Sequence, residues 1–385
     1  MVKLDVTLLR YLSSEDFKVL TSVEVGMRNH EVVPGPLVNS IASLKFGGCG
    51  KILIDLTKQK LLAYERGKRY DGYRLTYAGY DYLALNTFTH RKIISGIGNQ
   101  IGVGKESDVF VCGTTDDDED KQYAIKFHRL GRVCFRKVSE KRDFYTKSHN
   151  KTSWIYLSRK AAQREFEFLK FMHSRGMPVP KPIDCNRHVV IMELIDGRIL
   201  NQYTLESFEP ELRDKQIANL YKSLMNLILR FANETRVVHG DFNEFNILIH
   251  ETGEDIKPVI IDLPQMIGVD HELAPEQFER DVECVVDFFK KRFHYESDLV
   301  PQWSDVKEEV DVDSGQDQIE ECTSALSAMS VRQRLQSQLQ KKEMTHKKKA
   351  AAKPKNVKSD ANQVRRRKKT NQYIICQDTA SFLDG

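Results

Sequence analysis

Apolar positions recur at helical spacing through most of the first 90 residues and switch to strand-like spacing once, between Leu62 and Thr76. Ser14 is the expected N-cap of a helix running through Met27, with Phe17, Leu20, Val23 and Val25 among its apolar residues. Pro34-Gly35-Pro36 interrupts the pattern. Leu37, Ile41 and Leu44 resume it, and Gly47-Gly48 makes a turn. A third helix is expected from Lys51 to Lys60 with Ile52, Leu53 and Leu56 inward. Leu62–Glu65 and Tyr73–Thr76 then read as strands joined by a basic tip over residues 66–72, and a helix from Tyr77 to Leu85 closes the unit. Helices followed by a basic hairpin make the plan of a winged helix-turn-helix. Lys51, Lys58, Lys60, Arg66, Lys68 and Arg69 are its candidate nucleic-acid contacts. A merely solvated edge would use the same charges.

From about residue 91 the pattern alternates short apolar strands with two helices. Strands are expected at Val109–Cys112, Tyr123–Lys126, Val189–Ile195, Val237-Val238, Ile247–Ile249 and Pro258–Ile261, and helices at Ser158–His173 and Glu276–Phe293. No segment repeats. Beyond residue 300, Asp305 to Glu321 carries eight acids against Lys307 alone, a helical pattern spans Ser324–Leu339, and a lysine- and arginine-rich stretch runs from Lys341 to Lys369. Such charge blocks stay largely disordered. The chain therefore divides into 1–90, 91–300 (an N-lobe about 91–192 and a C-lobe about 196–300) and a charged tail, 301–385.

Charge changes this picture in one respect. The net charge of +4 conceals a segment, 341–370, with thirteen basic residues against two acids, so the remainder is acidic. No apolar run approaches the ~20 residues of a membrane span, and the first residues lack the plan of a signal peptide. Seven scattered cysteines without a C-x-x-C pair read as reduced thiols, which implies a soluble intracellular protein.

The candidate chemistry lies between residues 102 and 262. His239-Gly240-Asp241-Phe242-Asn243-Glu244-Phe245-Asn246, with Asp262 sixteen residues after Asn246, has the order that phosphoryl transfer uses. Asp241 would accept or orient the proton of an attacking hydroxyl or water. Asn246 and Asp262 would hold Mg²⁺ against the phosphates of ATP. Upstream, Gly102-Val103-Gly104-Lys105-Glu106-Ser107 fits a glycine-rich phosphate loop. Tyr123-Ala124-Ile125-Lys126 fits the strand whose lysine meets the α- and β-phosphates. Glu165 is the expected partner of Lys126, because Glu167 lies about 200° away around a 3.6-residue helix. Val189–Ile195 would be the hinge against adenine, with Met192 at the back of the pocket and Glu193 and Ile195 offering backbone contacts.

The pattern departs from ordinary protein kinases. His-Gly-Asp lacks the arginine of His-Arg-Asp, and Leu263-Pro264-Gln265 follows Asp262 where Phe-Gly is usual. Ala274-Pro275-Glu276 reads as a helix start rather than the end of a substrate-docking loop.

His-Gly-Asp-Phe-Asn-Glu-Phe-Asn at 239–246, Ile-Asp-Leu-Pro-Gln at 261–265 and Gly-Val-Gly-Lys-Glu-Ser-Asp at 102–108 resemble the RIO family of atypical kinases. Val179-Pro180-Lys181-Pro182-Ile183-Asp184 and Arg280-Asp281-Val282 extend the likeness to the RIO kinase 2 branch, over roughly residues 1–298. The resemblance implies an α+β chain, a winged helix followed by a reduced bilobal kinase domain. It also implies ATP and Mg²⁺ as cofactors, Asp241 as the catalytic aspartate, and Asn246 and Asp262 as metal ligands, with Lys126 and Ser107 on the phosphates. It implies action in late maturation of the small (40S) ribosomal subunit, in association with the precursor particle and its rRNA, mainly in the cytoplasm. Leu263 replaces a phenylalanine common in that branch.

Three further features bear on function. The 128–157 segment is basic and aromatic (Arg129, Arg132, Phe135, Arg136 and Trp154 among others) and is a candidate for RNA contact or for a mobile insertion over the ATP cleft. The basic tail could serve nuclear import or bind rRNA. Asp262 is a candidate acceptor of a transient phosphate. An ATPase switch on a pre-ribosomal particle is the favoured reading. A Ser/Thr protein kinase, a small-molecule phosphotransferase and a particle-binding scaffold with a structural ATP site are the alternatives.

Overall fold

The computed structural model describes residues 4–307 apart from 46, 68–69, 115–120, 131–153, 205–208, 254 and 264–265. The acidic stretch beyond 307, the helix expected at Ser324–Leu339 and the basic tail lie outside the described residues. The described residues belong to one unit spanning Met1–Ser330, while a second unit, Val331–Gly385, lies wholly beyond them.

Helix α1 (Ser14–Gly26) is capped one residue earlier than expected. Ser13 Oγ accepts the Asp16 N–H at 3.2 Å while the Asp16 carboxylate accepts the Ser13 N–H at 2.7 Å. This capping box contributes about 1 kcal/mol and needs an acid three residues in, which Ser13 has and Ser14 lacks. Val25 faces outward, not into the core. Helix α2 (Gly35–Ala42) ends at Ser43 in the left-handed region, so Leu44 packs on the core from beyond the helix. Helix α3 (Cys49–Lys58) begins two residues early. Strands β1 (Leu62–Arg66) and β2 (Asp71–Leu75) pair antiparallel with Leu62 opposite Leu75. Arg66 thus belongs to a strand, and Lys68 and Arg69 lie outside the described residues. A bridge from Val33 to Tyr73 completes the winged-helix plan.

Helix α4 (Tyr77–His90) runs five residues past the expected end, and packing explains why. Its first half buries Tyr80, Tyr82 and Leu83 in the N-terminal core. Its second half buries Ala84, Leu85 and Phe88 against the next domain. That domain opens with β3 (Gly96–Val103), β4 (Ser107–Gly113) and β5 (Gln122–His128). Helix α5 (Trp154–Ser174) follows, then β6 (Pro182–Asn186) and β7 (Val189–Glu193). The strands form one antiparallel sheet in the order β3-β4-β5-β7-β6. Strand alternation sorts its two faces. Ile125, Phe127, Val189 and Ile191 share a core with α4, whereas Ala124, Val190 and Met192 share one with α5. The last helix of the N-terminal domain is therefore a layer of the N-lobe, and a boundary at residue 90 falls at the end of a shared element.

The C-lobe comprises β8 (Arg198–Ile199), α6 (Pro210–Glu234), β9 (Val237–Val238), β10 (Ile247–Thr252), β11 (Asp255–Ile260), β12 (Ile267–Gly268) and α7 (Ala274–Phe293). Strands β11-β10-β8 form one small sheet and β12-β9 another. Helix α6 was not anticipated, although Ile217, Leu220, Tyr221, Leu224, Ile228 and Phe231 line its buried side. Helix α7 starts as expected, with a proline and Glu276 in its first turn. No described helix is long and apolar enough to cross a membrane.

Candidate active site

The glycine-rich segment straddles the end of β3 and the turn into β4. Gly104 donates its N–H to Ser107 O at 2.8 Å, and Ser107 sits opposite His128 at the start of β4. A Cβ on Gly102 would meet only Val109, at an ordinary 3.5 Å. The fold does not demand glycine there, so what glycine provides is backbone open to a close ligand. The Lys105 side chain is exposed.

Lys126, on the α5-facing side of β5, is buried and doubly paired. Its Nζ donates to Glu165 Oε1 at 2.6 Å and to Asp262 Oδ1 at 2.7 Å. Glu165 is fully buried while Glu167 is exposed, so helix geometry chooses between them as expected. His128, two residues beyond Lys126 on the same side of β5, brings Nε2 within 2.8 Å of Glu165 Oε2. Burial alone would raise the Glu165 carboxyl, but Lys126 and His128 outweigh it and hold the group below the usual carboxylate range. Burial likewise works against the Lys126 ammonium, and Asp262 and Glu165 reverse it, holding the pKa above the usual lysine range. Asp262 differs from Glu165 in one respect: its side chain is one-third exposed.

The strand with Met192 lies where a hinge is expected, and Met192 is buried in the core shared with α5. The strand ends at Glu193 rather than Ile195. Glu193 donates its N–H to Lys181 O at 2.9 Å, so of its two backbone groups only the carbonyl is a candidate contact. The chain leaves through Gly197, where a Cβ would lie 2.5 Å from Ile249 O, a close approach that only glycine permits.

The catalytic-type loop is built on a framework that sequence reasoning did not assign. Asp281, on α7, accepts the Gly240 N–H at 2.7 Å and the Phe242 N–H at 3.0 Å, and Arg280 donates to Gly240 O. Gly240 needs its glycine, with φ of 76°. Asp281 stands in the Arg280-Asp281-Val282 likeness without a role attached; an acid at a buried position of an otherwise amphipathic helix is the physical signal for one. Its carboxyl is pushed up to about 7 by burial, which the two N–H donors only partly offset. His239 packs between Phe231 and Phe242 and is held down at about 3 by burial.

Within this frame Asn246 Nδ2 donates to Asp241 O at 2.9 Å and to Asp241 Oδ2 at 3.2 Å, and Asn243 Nδ2 reaches Oδ1 at 3.2 Å. Asp241 is raised above the usual carboxylate range, first by burial and then by the charge of Asp262, so the two acids face one site. Ile261 N–H binds Asn246 O at 3.0 Å, which ties that loop to the chain carrying Asp262. Strand β11 stops at Ile260, leaving Asp262 on a loop, with Leu263 buried in the core behind it. Arg164 on α5 anchors the far side through Met266 O at 2.7 Å.

Two residues offered as RNA contacts in the 128–157 segment are otherwise engaged. Arg129 is buried and paired with Asp81 and Asp108, and Trp154 packs on Tyr77 with ring centroids 3.7 Å apart. Residues 131–153 lie outside the described residues.

Residues 108–300 match the family described as RIO domain, and residues 9–91 the one described as Rio2, N-terminal. The serine/threonine-protein kinase rio2 of Schizosaccharomyces pombe is 49% identical over 306 residues, which cover 80% of this chain and 84% of that protein. The RIO2 kinase of Caenorhabditis elegans is 47% identical over 313 residues, 81% of this chain and 56% of that protein. The crystal structure of the Rio2 kinase of Chaetomium thermophilum, a complex with ADP/Mg²⁺ and phosphoaspartate, superposes with a TM-score of 0.73. It is 41% identical and covers 89% of this chain and all of that one.

Proposed function

The chain belongs to the Rio2 branch of the RIO serine/threonine kinases, and from that premise we propose that it turns over Mg-ATP as a switch in late maturation of the small ribosomal subunit. The observation that carries this reading is the convergence of three groups. Lys126 is locked between Glu165 and Asp262, Asp241 is held by Asn243 and Asn246, and Asp262 stands partly exposed between the two sets.

The donor set suits Mg²⁺. Asn246 uses its amide N–H₂ on Asp241, so its carbonyl oxygen is the atom it can offer a cation. Together with the Asp262 carboxylate this makes a small, hard-oxygen set, which Mg²⁺ completes with phosphate oxygens and water. The bound ion would neutralise charge on the phosphates. Lys126, kept protonated and aimed by Glu165, would meet the α- and β-phosphates, with Gly102 and Gly104, which carry no side chain to hold a phosphate off, and the Ser107 hydroxyl alongside. The Glu193 carbonyl and Ile195 would contact the base.

An Asp262 carboxylate oxygen would attack the γ-phosphorus as the bond to the β–γ bridging oxygen breaks, giving an aspartyl phosphate and ADP. Water, giving its proton to Asp241, would then attack phosphorus, release phosphate and regenerate Asp262. The raised Asp241 carboxyl is the better matched to that proton. Among the described residues the helices that follow Asp262 are α7 and a short 3₁₀ turn alone, which leaves no helical platform for a peptide and favours water or the chain itself as acceptor.

The test incubates the protein with Mg²⁺ and γ-labelled ATP, beside Asp241→Ala and Asp262→Asn. Free phosphate with hydroxylamine-labile label on the chain is expected, both lost in Asp262→Asn. Hydroxylamine-resistant label with little free phosphate would instead assign transfer to Ser or Thr. In cells, replacing the protein by Asp241→Ala should accumulate small-subunit rRNA precursor in cytoplasmic particles. Full processing in that strain would reduce the ATP site to a structural one. The exposed basic residues of α3 and the wing and the basic tail are the surfaces proposed to meet the particle, the tail also serving nuclear shuttling.

A further inference from the structure

At the end of β5, Arg129 reaches out of the N-lobe to the N-terminal domain. Its guanidinium forks onto the Asp81 carboxylate of α4, one bond at 2.9 Å, and its Nε donates to Asp108 at 3.2 Å. His188, between β6 and β7, closes the set with Nε2 2.7 Å from Asp81 Oδ1. All four side chains are buried. The main chain adds a link: the Arg129 N–H binds Glu106 O at 2.5 Å, inside the glycine-rich turn, and Asp108 directly follows Ser107. Arg129 therefore grips the phosphate loop twice, by backbone and by side chain, and its other end is forked onto Asp81 of the N-terminal domain, with the Tyr77 ring 5.9 Å from the guanidinium.

We infer that Asp81 is a positioning residue for the nucleotide: by orienting Arg129 it fixes the glycine-rich turn, so the winged-helix domain completes the ATP site of the kinase domain. The inference rests on the reading that this loop binds ATP. A buried charge pair suits the task, because Arg129 has five donors in a fixed fork and cannot shed its proton. Bidentate pairing sets the plane of the guanidinium, and with it the direction in which Nε meets Asp108. Its partners hold Arg129 charged against the pull of burial.

A second clip between the same two regions provides the control. Arg187, in the β6–β7 turn, forks onto Glu24 of α1 at 2.8 and 3.0 Å, donates to Leu83 O and Thr87 Oγ1 of α4, and makes its ion pair away from Arg129 and the loop. If Asp81 only docks one domain on the other, loss of either clip should have the same consequence for nucleotide. If Asp81 positions the loop, only its loss should weaken binding.

The experiment measures the Kd for Mg-ATP by calorimetry, with kcat and KM beside it, on the full chain and its Asp81→Asn, Glu24→Gln and Asp108→Asn variants. A double variant, Asp81→Asn with Arg129→Lys, loses the fork but keeps one cation beside the buried Asp108, and so keeps a folded protein in hand where the single variant is too unstable. Asp81→Asn, Asp108→Asn and the double variant should raise Kd and KM about tenfold, roughly 1.4 kcal/mol, with kcat changed much less. Glu24→Gln should leave Kd at the wild-type value. Wild-type affinity in a folded Asp81→Asn or double variant overturns the inference, as does an equal loss in Glu24→Gln. Absence of ATP binding in the wild-type chain overturns the nucleotide-site reading as well, so the two failures are distinct.

Discussion

Lys126 and Arg129 lie three residues apart at the end of β5, and each is clamped between two carboxylates. Lys126 holds Glu165, which is fully buried, and Asp262, whose side chain is one-third exposed; Arg129 holds Asp81 and Asp108, exposed by only 4% and 6%. Both cations are desolvated, and both are kept charged by their partners. What separates them is access. One arm of the Lys126 clamp opens on the cleft, where a ligand can replace protein contacts, while the Arg129 clamp is closed and can only transmit position. A perturbed, buried ion pair marks a functional site when one of its members can be reached.

The largest expected effect breaks the open clamp. Asp262→Asn removes the carboxylate that accompanies Asn246 and should lower ATP turnover by about 10³-fold or more, on the scale of losing a principal electrostatic group. Because Asp262 is partly exposed, thermal melting should move little. A collapse of melting temperature alongside activity would mean that Asp262 belongs with the closed clamp.

Next in size comes the reverse case. Arg129→Leu leaves two buried carboxylates facing each other and should destabilise the fold by about 3–5 kcal/mol, read as a lower urea midpoint at unchanged m-value. Any turnover that survives should retain most of its kcat. A variant as stable as wild type would show that the seam between α4 and the N-lobe carries no strain when its charge is removed.

Glu165→Gln sharpens the comparison from within the open clamp. The amide keeps shape but leaves Lys126 with Asp262 alone, and kcat/KM should fall about 10²-fold, roughly 2.7 kcal/mol. If the loss appears only in stability, Glu165 is structural despite its place beside Lys126.

The two clamps also differ in how far they could be read from the sequence. Lys126, Asp241, Asn246 and Asp262 stand in short motifs, because chemistry on a phosphate demands particular groups in a particular order. Helix periodicity then separated Glu165 from Glu167. Nothing local announces the Asp81–Arg129 pair, whose members are 48 residues apart in segments without a motif. The one trace is Asp81 within the run Gly79 to Leu85, all of it buried: an acid on a helix that is apolar all round requires a partner. Arg129 illustrates the reverse: it stands in a basic, aromatic segment that suits RNA contact or a mobile insertion over the cleft, and a basic run does not say which of its members turns inward. Helix ends failed on similar grounds. Capping decides between Ser13 and Ser14, and α4 continues past Leu85 only because a second core, with Phe127 and Ile191, takes its last turns.

The smallest effect concerns pH and tests the closed clamp alone. His188 is fully buried, stacks on Tyr80 with centroids 4.5 Å apart and is held down at about 4; burial is the main cause, Arg129 and His128 add to it, and Asp81 opposes it. In the unfolded chain its pKa is about 6.5, so between the two values the unfolded state binds the extra proton. The contribution of His188 to stability is therefore fully present above pH 6.5 and is lost as pH falls toward 4. Between pH 7 and pH 5 the loss should be about 2 kcal/mol. His188→Gln retains a donor toward Asp81 without a titrating ring, so it should flatten the decline by that amount, while the buried His239 acts equally in both proteins. Urea denaturation at the two pH values reads the difference. Parallel slopes would mean that His188 takes up its proton in the folded chain, next to Asp81, and that the seam relaxes on the acid side where a closed clamp should not.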